Sequence, residues 1–502
     1  MIPSSGDDGE SMNTDANVME IGLKMALDFV EAGDGGEHSF GMDEKFSKTL
    51  PEGVSSRLVY SDIVRIAWPS FVELILTQLA SMVDLIMVGQ LGPWALSAVG
   101  LTTQPKFLMM TMFMAMNVGA TAMVARYKGA NDPEKANGIL RQALLLTFVL
   151  STVSSIIGYL FSEPLIAFMG AADAQTLEGG TIYLQIQFLG FVFMALTTTV
   201  TATLRGVGDS RTAMIYNLIA NGVNVVFNYL LIYGHFGFPE MGIAGASLAT
   251  VIGQCVAFVL AFAAIMGNRS YLHLSFRESF RPNWDALGSI FKIGLPAMLE
   301  QLIMRCGLII YSKTVAGLGT IAFATHQVCM NIQSLSFMNG NAFAVSATSL
   351  MGQSLGKKRP DMAQAYCSRT QRVGMLVSFL IAIVLFFWGG HIVALYNDDP
   401  QIVAQGAVIM KMMALIQPFQ SSQFIIAGAL RGAGDTKATA VITFITVLLV
   451  RPAFAIFSIN VLNWGLMGAW VAMILDQLIR SALVLARFNS GKWKINGMRI
   501  KH

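Results

Sequence analysis

Glu73, Thr77, Ser81 and Asp84 follow one another at helical spacing inside an otherwise apolar stretch. At about 100° per residue they share a sector of about 80° on one helix face. A second stripe, Asn217, Asn221, Asn224 and Asn228, spans about 60°. Gln327, Asn331, Ser334 and Asn341 make a third. A single polar side chain in an apolar helix commonly forms an interhelical hydrogen bond, worth about 0.6 kcal/mol on average. That reading suits any one Asn or Ser. Asp84 is different, because a carboxylate costs about 2.5–3.5 kcal/mol at the centre of a bilayer. What it offers there is a site for a proton or a cation. Apolar surroundings ease protonation of a carboxylate, whereas oxygen-rich neighbours such as Asn and Thr suit a hard cation. Glu73 and Glu300 each lie four residues beyond a proline, Pro69 and Pro296. Two roles are open to them: attracting a charged ligand, or bending a helix.

The elements that carry these stripes must cross a membrane. The 502-residue chain is 54% hydrophobic and 13% charged, with a mean hydropathy of +0.59. A soluble core stops growing near about 250–300 residues, so this much apolar surface needs lipid. About 20 apolar residues make one crossing. Twelve segments qualify: 62–88, 96–124, 138–160, 177–203, 212–234, 243–266, 288–316, 321–350, 365–394, 401–429, 438–458 and 465–487. The three stripes fall in the first, fifth and eighth. Every second loop is basic, with Arg126, Lys128 and Lys135, then Arg205 and Arg211, then Lys357, Lys358 and Arg359, then Arg431 and Lys437. The alternate loops, such as "AGLGT" and "YNDDPQ", hold no Lys or Arg. By the positive-inside rule both termini are cytoplasmic.

Residues 1–56 carry a net charge of about −9 and the remainder about +12. The stretch has no basic region followed by a long apolar run, so it does not read as a signal peptide. We read 1–57 as a flexible acidic cytoplasmic tail, with "VMEIGLKMALDFVEA" spaced as one amphipathic helix. Cys255, Cys306, Cys329 and Cys367 stand singly among apolar neighbours and read as small core residues. No Walker motif occurs, since "GQSLGKK" has the wrong spacing. No Ser-His-Asp or metal-ligand arrangement stands out. His326 stands alone and reads as a satisfied polar residue. An enzyme is therefore not indicated.

The chain repeats itself. "LRGVGDS" at 204–210 returns as "LRGAGDT" at 430–436, and "RIAWP" at 65–69 as "KIGLP" at 292–296. Glu73 and Glu300 are 227 residues apart. Each LRGxGD phrase reads as a helix stop: glycines for the turn, Arg toward the inner leaflet, Asp capping the next helix. Six helices precede a linker at 267–287 and six follow, so both halves enter from the same side, a parallel repeat.

These residues resemble the multidrug and toxic compound extrusion (MATE) family of cation-coupled exporters. The likeness covers about 58–490. It rests on "VDLIMVGQLG" at 83–92, on LRGVGDS with the Asn-rich helix after it, on "MGIAGASLATVIGQ" at 241–254, and on the twin six-helix halves. The resemblance implies an all-α polytopic membrane protein with twelve transmembrane helices in two pseudo-symmetric lobes. Members of the DinF-like type use a first-helix Asp, an Asn-x-x-x-Asp pair in helix 5 and a helix 6 Thr as a proton or sodium site. Asp84, Asn224 and Thr250 fill those roles, and Asn228 stands where the pair has its Asp. The NorM-like type uses carboxylates in helices 7 and 10, where this chain has Met304 and Gln420. At its ion-site positions the chain is thus closer to the DinF-like type.

The expectation is a monomeric antiporter of the inner membrane. Its N-lobe spans 58–266, its linker 267–287, its C-lobe 288–487 and its basic tail 488–502. A proton or sodium ion enters at Asp84, Asn224, Asn228 and Thr250, and amphipathic, often cationic, organic compounds leave. Glu73, Glu300, Asn221, Gln327, Asn331 and Asn341 line the substrate path. No cofactor and no nucleic acid are involved. The alternative is a lipid-linked oligosaccharide flippase, which wants a strongly cationic cavity. Arg305, Lys411, Arg451 and Arg480 are the basic residues read inside helices.

Overall fold

The computed structural model describes residues 51, 54–171, 173–267, 270–275, 280–396 and 399–494. Apart from Pro51 and residues 54–57, the acidic tail expected at 1–57 lies outside them, as does the basic tail from 495 onward. Twelve long helices run in chain order: α1 (Ser56–Gly89), α2 (Pro93–Gly129), α3 (Pro133–Leu160), α4 (Ala174–Gly206), α5 (Ser210–Tyr233), α6 (Gly242–Met266), α7 (Trp284–Ala316), α8 (Thr320–Gly356), α9 (Pro360–Ala394), α10 (Pro400–Gly432), α11 (Thr436–Val461) and α12 (Gly465–Asn489). No strand occurs among the described residues.

Several helices outrun their apolar windows. α2 and α8 each have 37 residues, about 55 Å at 1.5 Å per residue, against about 30 Å of hydrocarbon. Hydropathy alone therefore dates their ends too late and too early. A short helix, Ser162–Phe168, fills a stretch expected to be loop. Eleven of the twelve are long and apolar enough to cross a membrane. The exception is α8. Its Gln327, Asn331, Gln333, Ser334, Ser336, Asn339 and Asn341 dilute its hydropathy, and protein neighbours, not lipid, cover much of it. α11 is also irregular, with π-helical turns at Phe444–Val450 and Phe457–Val461 on either side of Arg451–Ile456.

The two repeats pack as two lobes. In the first, α1 lies along α5, and α2, α3, α4 and α6 pack together. In the second, α7 lies along α11, and α8, α9, α10 and α12 pack together. The lobes meet through α2 against α7 and α8, and through α1 against α8. Their hydrogen bonds gather at one end, the end that carries the basic loops. Arg126 Nη2 donates to Ala433 O (2.5 Å), and Gln353 Nε2 donates to Gly206 O (3.2 Å). Arg126 and Gln353 are counterparts 227 residues apart, and their acceptors lie in the two LRGxGD turns, one position out of step with each other. At the same end Ser349 Oγ donates to Gly206 O and Tyr366 Oη to Asp62 Oδ2. A Cβ on Gly129 would lie 1.9 Å from Gln353 O, and one on Gly356 2.0 Å from Arg126 O. Only glycine lets these backbones touch.

Both LRGxGD phrases fold as helix stops, as read. Gly208 and Gly434 take φ of +86° and +79°, values that favour glycine. Asp209 N donates to Leu204 O and Asp435 N to Leu430 O, each at 2.8 Å, a Schellman closure. The capping expectation holds for Asp209, whose side chain accepts from Thr212 N. It fails for Asp435, which takes Arg487 instead, 2.9 Å away. The arginines also depart from expectation. Instead of facing the inner leaflet, Arg205 pairs with Glu73 at 2.7 Å and Arg431 with Glu300 at 2.6 Å.

Candidate functional site

α1 and α5 run parallel, and their polar stripes meet as a ladder. Asn217 Nδ2 donates to Glu73 Oε1 (2.7 Å), and Asn221 Nδ2 to Thr77 Oγ1 (2.9 Å). Asn228 Nδ2 donates to Asp84 Oδ1. Each rung joins residues 144 apart, the signature of two helices in one fixed register. Asn224 completes the centre. A carbonyl oxygen facing a carboxylate would be repelled, so we orient its amide with nitrogen inward. Nδ2 then donates to both oxygens of Asp84, at 2.9 and 3.0 Å, and its oxygen accepts from Thr250 Oγ1 at 3.2 Å.

Asp84, Asn224, Asn228 and Thr250 are thus in one place, a grouping that only the resemblance implied. Asp84, Asn224 and Thr250 border a cavity of about 210 Å³ inside the N-lobe, to which Ser81, Asn221 and Gln254 also contribute; Asn228 lies behind Asp84 and is not part of its lining. No Lys or Arg lines it. Asn228 Oδ1 is buried and has no partner among the described residues. An unused carbonyl oxygen beside a carboxylate is a ligand for a hard monovalent cation. The carboxylate alone serves a proton. No group of three or more His, Cys, Asp or Glu among the described residues could hold a metal.

The other candidates fall elsewhere. Glu73 and Glu300 are each 5% exposed. Besides Arg431, Glu300 accepts from Thr439 Oγ1 at 2.9 Å. It borders a smaller cavity of about 150 Å³ between α2 and α7, with Gln301, Phe107 and Thr111. Both carboxylates are committed to arginines of the LRGxGD turns. The pairs tie helices together, and of the two carboxylates Glu300 also borders a cavity, whereas Glu73 lines neither. Gln327, Asn331 and Asn341 on α8 are exposed and lie outside the N-lobe cavity. His326 is buried among Tyr311 and Trp470, its Nδ1 unpartnered among the described residues. Cys306 is exposed, not core. Sequence reasoning also missed Lys106, which α2 places against Gln187 Oε1 at 2.7 Å. A lone Lys in an apolar run gives little signal unless the run is read as membrane-embedded.

Comparisons with known proteins bear on the fold and the family. The MatE family profile matches residues 69–230 and 296–457, beginning at the two prolines. The chain is 28% identical to "Probable multidrug resistance protein NorM" of Thermotoga maritima over 87% of this chain and 93% of that one. It is 26% identical to "Multidrug resistance protein PmpM" of Pseudomonas aeruginosa, over 87% and 92%. A solved structure described as the outward-facing conformation of a multidrug resistance MATE family transporter superposes with a TM-score of 0.81 at 21% identity, covering 89% of this chain and 99% of that one. With both repeats matched by one family profile and the two-lobed fold shared, the chain belongs to the MatE family, the MATE transporters.

Proposed function

We propose that the protein is a secondary active exporter that exchanges an inward proton or sodium ion at Asp84 for amphipathic, often cationic, organic compounds. The observation that carries this is the single carboxylate of Asp84, held by Asn224 and Asn228 on the wall of an N-lobe cavity. The names of the relatives as multidrug resistance proteins support the substrate class. The basic end of the bundle, with both termini, faces the cytoplasm of a cell whose inner membrane holds the protein. Each chain carries its own cavity and works as a monomer.

The ladder supplies the coupling. A proton on Asp84 removes an acceptor from two amides; a sodium ion recruits Asn228 Oδ1 and reorients the same amide. Either event acts on α5 relative to α1. That register continues down to Glu73, Asn217 and Arg205 beside the inter-lobe contacts. An ion that binds one arrangement better shifts the population toward it by that difference in affinity. The flippase alternative gains nothing, since the cavity holds no basic side chain.

The test is transport of a fluorescent organic cation in proteoliposomes, with a pH gradient or a sodium gradient imposed separately. Wild type responds to one gradient, which names the ion. Asp84→Asn binds substrate but loses gradient-driven transport by at least about tenfold, the scale of one charge-assisted contact. Equal driven transport by Asp84→Asn would overturn the assignment.

A further inference from the structure

The repeat sets a second buried centre opposite the first. The counterparts of Asp84, Thr250 and Gln254 in the C-lobe are Tyr311, Asp476 and Arg480, and Arg451 is the counterpart of Val225, one residue after Asn224. Where the N-lobe holds one negative charge, the C-lobe holds two positive charges and one negative. Arg451 donates to Asp476 Oδ2 through Nε (3.0 Å) and Nη2 (2.5 Å), and Arg480 donates to the same oxygen through Nη2 (2.5 Å). Arg451, Asp476 and Arg480 are 3%, 0% and 4% exposed. The Arg451 guanidinium stands 5.7 Å from the Tyr311 ring centroid, and Met304 Sδ lies 3.4 Å from Arg480 Nη1.

One carboxylate cannot match two guanidiniums, and arginine does not shed its proton. Among the described residues, Arg451 and Arg480 have no ion pair other than Asp476. Three donors there are buried without a partner among the described residues: Arg451 Nη1, Arg480 Nε and Tyr311 Oη. Asp476 Oδ1 is also unpartnered. Such orphaned groups beside unmatched charge are costly in a membrane interior unless something accepts from them. The backbone adds an independent mark: α11 widens into π turns on both sides of Arg451–Ile456, a feature frequent at functional sites.

We propose that this C-lobe centre binds a small monovalent anion, chloride in its simplest form, which accepts from the unpartnered donors and balances the second arginine. The duplicated fold then carries a cation site in one lobe and an anion site in the other. A halide and a compact carboxylate share the required chemistry, and the test separates them.

The full-length protein in nanodiscs is unfolded by heat while chloride replaces gluconate at constant ionic strength and constant sodium. The melting temperature rises and saturates with chloride. Arg480→Gln leaves a neutral Arg451–Asp476 pair, so its chloride-dependent rise is lost while its stability in gluconate is kept. Asp476→Asn leaves two guanidiniums, so its chloride-dependent rise exceeds wild type. Acetate that reproduces the rise extends the site to carboxylates; acetate without effect restricts it to halides. Wild-type melting indifferent to chloride, or an undiminished rise in Arg480→Gln, would falsify the proposal. Bromide located by anomalous scattering beside Arg480 tests the site without any variant, and a crystal grown in bromide with no such peak would also sink it.

Discussion

At the residue scale, the informative atom is Asn228 Oδ1. Its amide nitrogen serves Asp84, and its oxygen is buried with no partner among the described residues. If the driving ion is sodium, that oxygen is a ligand. Asn228→Ala then raises the sodium concentration for half-maximal transport by about tenfold, the cost of one ligand at about 1.4 kcal/mol. If the driving ion is a proton, the same variant removes a donor that favours the charged carboxylate, so the half-maximal proton concentration falls instead of rising. Rates measured across an ion series in proteoliposomes separate the two. The Asn stripe was legible from spacing alone, because polar side chains every turn on an apolar helix must share a face. Its pairing with Glu73, Thr77 and Asp84 was not. A rung depends on the register between α1 and α5, and nothing local in either helix specifies that register.

At the element scale, the duplicated Glu–Arg pairs tie the first helix of each repeat to the end of its fourth. Glu73 and Arg205 are mostly buried, with side chains 7% and 19% exposed. Removing one partner leaves a charge stranded, a loss of about 3 kcal/mol. Arg205→Ala therefore lowers the melting temperature by several degrees, and so does Arg431→Ala in the other repeat. The double variant Glu73→Gln/Arg205→Gln is less destabilised than the sum of its two single changes, since it strands no charge. Additive losses in thermal unfolding would contradict the pairing. The motif itself was readable as a helix stop, since glycines and a following Asp are local signals. The role of its arginine was not, because a basic residue at a helix end near a membrane surface has a plausible local use. Only tertiary packing turns Arg205 inward. α8 shows the converse limit. Its buried Gln333 and Asn339 help to make it the least apolar span, yet an apolar run of crossing length was still readable at 321–350.

At the scale of the whole molecule, the lobes are held together at the basic end by contacts that obey the repeat. Arg126 binds Ala433 O, Gln353 binds Gly206 O, and Gly129 and Gly356 admit the opposing backbones. These contacts close the end that the proposed alternating access must open. Arg126 carries a charge and Gln353 does not, so the two halves of the latch differ in strength. A hydrogen bond from a charged donor contributes about 1.5–3 kcal/mol and a neutral one about 0.5–1.5. Arg126→Ala therefore raises the open-to-closed ratio at this end by at least about tenfold, and Gln353→Ala by less. Spin labels report it from Arg211 and Lys437, exposed counterparts at the basic end of the two lobes, in a background with the four cysteines replaced. In wild type the label distance is dominated by one short population. In Arg126→Ala a longer population grows, and in Gln353→Ala it grows less. Glycine replaced by Leu at 356 goes further, because its side chain overlaps Arg126 O and forbids the closed end altogether. A single short distance in all three variants would show that the lobes are held by their packed helices and not by this latch.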